Sequence, residues 1–166
     1  MKNYEIFYQQ LTAPFRSCPR IVKGMAYFNR GMTVFMPLVY GLVLIDAFLM
    51  EGWKGLLAFF LLPAIGFGLL SAIRKWLNQA RPYEKWAIQP LLAKDTSGKS
   101  MPSRHVFSAT VISMCLLYFF WLPGLLCLLL SAGLALVRVI GGVHYPKDVV
   151  IGYLCGICWG ALIFLL

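Results

Sequence analysis

Acidic residues are scarce in this chain, and charged residues of any kind are few. Six Asp and Glu stand against 15 Lys and Arg in 166 residues, and charged residues make up only 13% of the chain. A hydrophobic share of 60% and a mean hydropathy of +0.76 exclude an ordinary soluble domain. The formal net charge of +9 would suggest nucleic acid in a soluble protein. Here it favours a lipid bilayer with anionic lipids as the partner, and no nucleic acid.

A secretory signal and a redox motif are also lacking. Residues 1–31 contain no short apolar core followed by a small-residue cleavage site, so we expect no signal peptide. Four of the five cysteines lie inside apolar runs, where a free thiol behaves as a small hydrophobic group. Cys155 and Cys158 have the spacing of a redox pair, but no βαβ pattern surrounds them. These cysteines therefore indicate helix packing.

Five apolar runs of nearly membrane-spanning length follow residue 31. They cover roughly residues 32–50, 56–73, 106–122, 125–140 and 149–166. A spanning helix needs about 20 residues. A backbone in hydrocarbon must satisfy its own polar groups, which makes helices the expected form. The sequence therefore predicts an all-α integral membrane bundle of about five transmembrane helices.

Residues 1–31 differ from the rest of the chain because aromatic and aliphatic residues alternate with basic ones. Pro14 and Pro19 interrupt this segment. The mixture favours short amphipathic pieces that lie on the membrane surface, and a partly disordered tail is the alternative. The predicted organisation is an amphipathic segment, residues 1–31, and a membrane-embedded domain, residues 32–166.

The last apolar run carries Gly152, Gly156 and Gly160 on one helical face. Small residues at this spacing let another backbone approach closely. The spacing predicts a packing face and no chemistry. It leaves open whether the face packs within the chain or forms a homodimer with a second copy.

Three stretches of basic residues, two of them with a histidine, lie at the ends of apolar runs. Counting crossings places the loop 74–104, the loop 138–148 and the N-terminal segment on the same side of the membrane. The only two histidines of the chain, His105 and His144, both lie in these loops. The three stretches can therefore converge, and basic groups with histidines at a membrane surface suggest phosphate chemistry.

Arg74 and Arg81 are seven residues apart at the end of the second run. If the helix continues past the bilayer, this spacing places both on one face, about two turns apart. Two guanidinium groups so placed can bind phosphate oxygens in bidentate fashion. Pro82 ends the helix and favours an extended backbone at Arg81. Ordinary anchoring of basic side chains at the membrane interface is the alternative.

The stretch Pro102-Ser103-Arg104-His105 opens the third run. Pro is tolerated in the first turn of a helix, and Ser is a favoured N-cap. A helix N-terminus suits an anion, and Ser103 and Arg104 add hydrogen-bond donors. A plain N-cap explains Pro, Ser and Arg equally well, but it gives His105 no role.

Arg138 is a charged residue within the otherwise apolar fourth run, which marks it as a functional candidate. Gly141 and Gly142 free the backbone to turn before His144, and Pro146 starts the next helix. Asp148 is four residues after His144, close enough to hold one imidazole nitrogen. The other nitrogen is then available for nucleophilic attack. An interfacial histidine with an Asp that satisfies the helix dipole is the alternative.

Together, these stretches resemble the motifs of the type-2 phosphatidic acid phosphatases, a superfamily shared with the vanadium-dependent haloperoxidases. The family motifs read Lys-x6-Arg-Pro, Pro-Ser-Gly-His and Ser-Arg-x5-His-x3-Asp. This chain has the corresponding residues in the same order and spacing: Arg74-x6-Arg81-Pro82, Pro102-Ser103-Arg104-His105 and Val137-Arg138-x5-His144-x3-Asp148. The resemblance covers roughly residues 32–166.

The resemblance implies a role for each matching residue. His144 corresponds to the nucleophile that takes the phosphoryl group, Asp148 to the carboxylate that orients it, and His105 to the general acid. The phosphate-binding residues implied are Arg74, Arg81, Ser103, Arg104 and Arg138. No metal and no cofactor are implied.

Three departures from the motifs change the phosphate-binding residues and leave the nucleophile, its carboxylate and the acid in place. Arg74 stands for lysine, Arg104 for glycine and Val137 for serine. Membrane relatives often have six spans, and the amphipathic segment here takes the place of one.

The resemblance further implies a metal-independent lipid phosphate or pyrophosphate phosphatase acting through a phosphohistidine intermediate. Small size favours a bacterial type acting on undecaprenyl pyrophosphate or phosphatidylglycerol phosphate. The alternatives are a phosphatidic acid phosphatase of broad specificity, a vanadate-dependent oxidation enzyme, and a non-catalytic lipid-binding relic of the same fold.

The distribution of basic residues bears on orientation in the plasma (inner) membrane. Of the 15 Lys and Arg, Lys54 alone falls on the side opposite the motifs. The positive-inside rule then predicts that the motifs face the cytoplasm. Many members of the family face away from it, and recruitment of an anionic substrate would also enrich basic residues near the site, so the second orientation stays open.

Overall fold

The computed structural model describes residues 3–94 and 96–165, and every regular element in these residues is helical. The elements are α1 (Tyr4–Arg16), α2 (Pro19–Leu77), α3 (Pro82–Lys85), α4 (Arg104–Phe119), α5 (Trp121–Ile140) and α6 (Pro146–Ala161), followed by a 3-10 turn (Leu162–Leu165). The predicted all-α class is confirmed. Met1 and Lys2 of the predicted amphipathic segment, and Leu166 of the last apolar run, lie outside the described residues.

Helix α2 folds back on itself at Gly52 and supplies the first two predicted membrane segments. Gly52 has φ 67 and ψ −156, a left-handed conformation that favours glycine. The Tyr40 hydroxyl donates a hydrogen bond to the Phe59 carbonyl over 3.1 Å. This bond joins the arm before Gly52 to the arm after it, so the two arms run antiparallel.

The N-terminal region forms two helices that differ from the predicted surface pieces. Helix α1 is separate, but α2 begins at Pro19 and continues through residues 31 and 32 without a break. Residues 19–31 therefore extend a membrane helix, because proline is tolerated in the first turn of a helix. The predicted domain boundary falls inside α2.

Helix α4 is the centre of the bundle, and it packs against α2, α5 and α6. Its residues from Val106 to Leu116 are buried almost without interruption. The link to α5 is Phe120. Pro123, which separates the predicted third and fourth apolar runs, lies in the first turn of α5.

Three helical stretches among the described residues are long and apolar enough to span a membrane: Pro19–Lys85, Trp121–Ile140 and Pro146–Leu165. The first contains both arms of α2, and Arg104–Phe119 is an apolar but shorter helix. The five predicted apolar segments are therefore the two arms of α2 together with α4, α5 and α6. Many large hydrophobic side chains on their outer faces are exposed, which suits contact with lipid. The protein is a membrane protein.

The glycine face of α6 packs within the chain. A Cβ atom on Gly152 would lie 2.8 Å from the Ser103 carbonyl oxygen, and one on Gly156 would lie 2.7 Å from Thr110 Cβ. A Cβ on Gly160 would lie 2.5 Å from Met114 Cβ. The face that the sequence offered to a homodimer is therefore occupied by α4 of the same chain. This close approach brings the start of α6 against the start of α4.

The helix directions collect all three motifs at one end of the bundle. The second arm of α2 and α5 run towards this end, and α4 and α6 start from it. The Tyr8 hydroxyl of α1 donates a hydrogen bond to the Ile140 carbonyl over 3.1 Å, so α1 lies at this end too. At the opposite end, Tyr118 donates to the Glu51 carboxylate beside the Gly52 turn.

Candidate active site

His144 and Asp148 form a buried pair at the start of α6. His144 Nδ1 lies 3.6 Å from Asp148 Oδ2, and the two side chains are 1% and 0% exposed. The backbone N–H of Tyr145 donates to the same carboxylate oxygen over 3.1 Å, which fixes Asp148 in the first turn. The carboxylate therefore faces Nδ1, and Nε2 is the nitrogen left for attack, as the spacing of four predicts.

Ser100 joins this pair, although it belongs to none of the three sequence motifs. Its hydroxyl donates to Asp148 Oδ2 and lies 3.4 Å from His144 Nδ1. The Ser100 backbone N–H donates to the Gln79 carbonyl over 2.8 Å, which anchors the serine to the start of the long loop. A fully buried hydroxyl between the two groups restricts both side chains to one arrangement.

Arg74 is buried near the end of α2 and ties that helix to the segment before α4. Its Nη1 donates to the carbonyl of Pro102 and, over 3.4 Å, to that of Ser100. The positive charges of Arg81, Arg104 and Arg138 all lie close enough to act on it electrostatically. Four guanidinium groups therefore gather around the first turn of α4.

Arg81 is also buried, but it does not share a helical face with Arg74. Helix α2 ends at Leu77, and the left-handed Asn78, with φ 36, caps it. Arg81 follows in an extended conformation, as the proline after it dictates. The expected common helical face is therefore wrong, and the loop brings Arg81 to the site instead.

The guanidinium of Arg81 is held by the two loops that it joins. It donates to the Gly98 carbonyl over 3.2 Å, to the Thr96 hydroxyl over 2.9 Å and to the Val143 carbonyl over 3.4 Å. The Glu84 carboxylate accepts from the backbone N–H of Arg81 over 2.6 Å and from that of Gly98 over 2.9 Å. The contact with the Val143 carbonyl places the charge of Arg81 beside the residue that precedes His144.

Arg138 is 1% exposed in the last turn of α5. Its Nη1 donates to the Asn29 side-chain oxygen over 3.0 Å, a contact from the first arm of α2 that the sequence did not suggest. Its carbonyl accepts from the N–H groups of Val143 and His144 over 3.2 and 3.3 Å. Arg138 therefore positions His144 through its backbone while its side chain supplies charge.

The start of α4 lies directly against the nucleophile pair. The Ser103 N–H donates to the Asp148 carbonyl over 2.8 Å. Ser103 occupies the N-cap position, but its hydroxyl makes no capping bond. This hydroxyl is buried and has no hydrogen-bond partner within residues 3–94 and 96–165. It is thus a donor available to a phosphate oxygen, as the motif implies.

Arg104 and His105 follow Ser103 in the first turn of α4. Arg104 is exposed, and its guanidinium carbon is 5.2 Å from the centroid of the Phe67 ring. His105 is half-buried and, with Arg104, lines a cavity of about 240 Å³ between α2 and α4. The structure thus gathers Arg74, Arg81, Ser103 and Arg138 with the His144–Asp148 pair, and Arg104 lies exposed at the edge of this group.

Helix α1 supports the turn that carries His144. The ring of Tyr4 packs edge-on against Tyr145, with centroids 4.9 Å apart. Gly142 has φ 77, and a Cβ there would lie 2.5 Å from the Tyr8 hydroxyl oxygen. Only glycine fits this turn without strain. The aromatic residues of α1 were predicted to contact the membrane surface. Tyr4 and Tyr8 instead pack against residues more than 130 positions away in the sequence.

A second cavity, of about 680 Å³, lies on the other flank of His144. It is lined by Tyr4, Gln79, Ala80, Lys85, Trp86, Tyr145, Pro146 and Lys147. The indole N–H of Trp86 donates to the Tyr145 hydroxyl over 3.1 Å and closes one wall. The larger cavity therefore borders Tyr145, the residue after His144, and the smaller one borders His105 at the start of α4.

The environment of His144 keeps its imidazole neutral at physiological pH. Its pKa is lowered to about 4, chiefly because the ring is buried. The charges of Arg138 and Arg81 lower this pKa further, and the Asp148 carboxylate opposes them. A neutral imidazole retains the lone pair that a nucleophile requires.

The low pKa of His144 predicts a pH-dependent loss of stability. Between pH 6.5 and 4 the unfolded chain binds a proton that the folded chain does not, so the free energy of unfolding falls as pH falls through this window. The expected loss is about 3 kcal/mol. Thermal unfolding in detergent at pH 7, 5.5 and 4.5 measures it. In a His144→Gln variant, the free energy of unfolding should fall less steeply over this pH range. An equal dependence on pH in both proteins would contradict the prediction.

Comparison with known proteins agrees with this geometry. Residues 53–166, which carry all three motifs, match the model of the PAP2 superfamily. The chain belongs to this superfamily. Membership makes it a phosphoric ester hydrolase of the lipid phosphatase class. No curated protein matches the chain.

Two solved structures share the fold. LpxE of Aquifex aeolicus is 22% identical with a TM-score of 0.75, and the match covers 100% of this chain and 96% of that one. The first transmembrane PAP2 type phosphatidylglycerolphosphate phosphatase from Bacillus subtilis is 21% identical with a TM-score of 0.62. That match covers 96% of this chain and 91% of the other. These similarities support the whole architecture, including α1 and the first arm of α2, which lie outside the family match.

Proposed function

We propose that this protein is a metal-independent phosphatase of membrane lipid phosphates or diphosphates that works through a phosphohistidine at His144. The observation that carries the proposal is the buried, neutral imidazole of His144, oriented by Asp148 and acted on by Arg81 and Arg138. A histidine that served only as an interfacial residue would need neither burial nor a carboxylate on one nitrogen.

The reaction proceeds in two balanced steps. Nε2 of His144 attacks phosphorus, the bond from phosphorus to the leaving oxygen breaks, and that oxygen takes the electron pair and a proton from His105. Water then attacks phosphorus, the bond from phosphorus to Nε2 breaks and its electron pair returns to His144, His105 takes the proton of the water, and inorganic phosphate leaves. Asp148 stabilises the imidazolium that forms when Nε2 becomes bonded to phosphorus.

Guanidinium groups supply the positive charge that phosphoryl transfer requires. Arg74, Arg81 and Arg138 are buried and held in place, and Ser103 adds an unused hydroxyl. Preorganised donors in a buried site stabilise developing charge without reorganisation. Among the described residues, no group of three or more His, Cys, Asp or Glu side chains is placed to hold a metal ion. The buried arginines neutralise the charge that develops on the transferred phosphoryl group.

The substrate proposed is a lipid with an exposed terminal phosphate, undecaprenyl pyrophosphate or phosphatidylglycerol phosphate. The site lies where α2, α4, α5 and α6 meet the end of the bundle, and the cavity beside His105 is lined mainly by apolar residues. The similar Bacillus subtilis structure carries the name of a phosphatidylglycerolphosphate phosphatase. A broad phosphatidic acid phosphatase and a non-catalytic relic are the competing functions.

A substrate panel tests the proposal. Purified protein in detergent should release inorganic phosphate from at least one of prenyl diphosphate, phosphatidylglycerol phosphate and phosphatidic acid, at the same rate with and without EDTA. Loss of activity with EDTA that Mg²⁺ or Zn²⁺ restores would overturn the metal-independent mechanism. No release from any lipid would favour the relic.

We also propose that the site faces the cytoplasm from the plasma membrane, since among the Lys and Arg of residues 3–94 and 96–165 Lys54 alone lies at the opposite end. A single cysteine at Lys94, in a variant without the five native cysteines, tests this orientation. Labelling of intact cells by an impermeant thiol reagent would contradict it.

A further inference from the structure

Arg104 is the one motif arginine that does not join the buried cluster. Arg74, Arg81 and Arg138 are 7%, 3% and 1% exposed and donate to backbone or side-chain oxygens. Arg104 is exposed and lies over the Phe67 ring. Stacking on an aromatic face holds a guanidinium while leaving its N–H groups available to an anion.

The cavity beneath Arg104 combines donors at its mouth with an apolar interior. Ser108 follows Arg104 by four residues, so the two share one face of α4. His105 lies next to this face. The Ser108 hydroxyl is buried, lines the cavity and has no hydrogen-bond partner among the described residues. A deeper cavity of about 320 Å³ shares Phe67, Ser108 and Ile112 and continues along α4. Its lining is almost wholly apolar.

The position of His105 determines which part of a substrate enters this cavity. In the proposed function, His105 contacts the leaving oxygen, so the group attached to that oxygen lies on the His105 side. The residues that line the cavity at this point include Phe67, Arg104, His105 and Ser108, and none of its lining residues is acidic. A cation and a free hydroxyl above an apolar channel suit an anionic group attached to a lipid tail.

We propose that Arg104, assisted by Ser108, binds a second phosphate in the leaving group. The inference rests on the proposed function and narrows it to lipids with two phosphates, either adjacent as in a prenyl diphosphate or separated by glycerol as in phosphatidylglycerol phosphate. For the diphosphate, the bond between the terminal phosphorus and the bridging oxygen breaks. The lipid monophosphate leaves with the electron pair, and Arg104 stabilises its charge. Phosphatidic acid has no second phosphate and gains nothing from Arg104.

Steady-state kinetics of Arg104→Ala and Arg104→Lys test the proposal with C15 prenyl diphosphate, phosphatidylglycerol phosphate and phosphatidic acid. Arg104→Ala should lower kcat/KM for one or both two-phosphate lipids by about 10- to 100-fold, the range of a charge-assisted hydrogen bond. The value for phosphatidic acid should change less than about threefold. The kcat/KM of Arg104→Lys should lie between those of Arg104→Ala and wild type, because lysine keeps the charge and loses the planar guanidinium group. Arg20→Ala, which removes an exposed arginine at the start of α2, is the matched control.

The pattern of loss across the three lipids decides the outcome. If kcat/KM falls selectively for prenyl diphosphate, Arg104 binds a phosphate next to the scissile bond. If it falls selectively for phosphatidylglycerol phosphate, Arg104 binds a phosphate separated from that bond by glycerol. An equal loss for all three lipids would show a general structural role and overturn the proposal, as would no loss.

Binding measurements keep this inference separate from catalysis. C15 prenyl methylenediphosphonate should bind more tightly than C15 prenyl phosphonate, and Arg104→Ala should remove most of that difference. If wild-type protein hydrolyses no lipid but shows this difference, the proposed function fails and the second-phosphate site stands. If Arg104→Ala leaves the difference unchanged, the site fails even where hydrolysis is observed.

Discussion

Replacing His144 by alanine should abolish release of phosphate from lipid substrates, lowering kcat by at least about 10³-fold. The nucleophile and its oriented partner act as a unit, so its removal leaves only substrate positioning and charge stabilisation by the arginines. The buried Asp148 carboxylate keeps its contacts with Ser100 and the Tyr145 N–H, which favours a folded variant. Phosphate release by purified enzyme measures the effect.

A covalent readout separates the role of His144 from a structural one. Wild-type enzyme quenched during turnover of a ³²P-labelled substrate should carry an acid-labile, base-stable phosphoryl group, and His144→Ala should carry none. Asp148→Asn should still form this group, but more slowly, since the amide holds the ring less well and stabilises no imidazolium charge. Activity retained in a folded His144→Ala protein would rule out the phosphohistidine mechanism. Arg20→Ala is the control and should match wild type.

Replacing His105 by alanine should lower kcat by about 10²- to 10⁴-fold on lipids whose leaving group is an alcohol. The loss should be much smaller for p-nitrophenyl phosphate, because a weakly basic leaving oxygen departs without a proton. The loss for prenyl diphosphate should be as small as that for p-nitrophenyl phosphate, since its leaving phosphate has a second pKa of about 6 and also departs without a proton. Steady-state rates on the three substrates measure this dependence.

A uniform loss across leaving groups would argue against an acid role for His105 and for a role in shaping the cavity. Ser108→Ala, one turn further along the same face of α4, is a suitable comparison. It keeps the acid and removes a hydroxyl of the same cavity. With phosphatidic acid and p-nitrophenyl phosphate, which carry no second phosphate, it should show no dependence on the basicity of the leaving group.

Sequence patterns were sufficient where the governing interaction is local. The apolar runs specify helices because a backbone in hydrocarbon must bond to itself, and the structure contains helices at all five. The turn at Gly142 and the helix start at Pro146 follow from the conformational preferences of those residues. The proximity of His144 and Asp148 follows from a spacing of four across a helix start.

The sequence was misleading where one residue type fits two structures. Pro19 was interpreted as an interruption, and Pro123 fell between two predicted apolar runs. Both lie in first turns, where proline removes no needed hydrogen bond. The spacing of Arg74 and Arg81 suits one helical face, yet the helix ends at Leu77 between them. The packing partner of the glycine face was undecidable, because spacing describes one surface and says nothing of the helix opposite.

By itself, the sequence determined the helical class, the membrane location and the order of the motif residues, because each depends on composition or on separations of a few residues. Only the tertiary structure decided what surrounds those residues. Ser100 beside His144, Asn29 on Arg138 and Tyr8 against Gly142 are contacts across 44, 109 and more than 130 positions. Such contacts depend on how helices pack. The same packing left Arg104 exposed over the Phe67 ring, a placement that its position in the motif does not reveal.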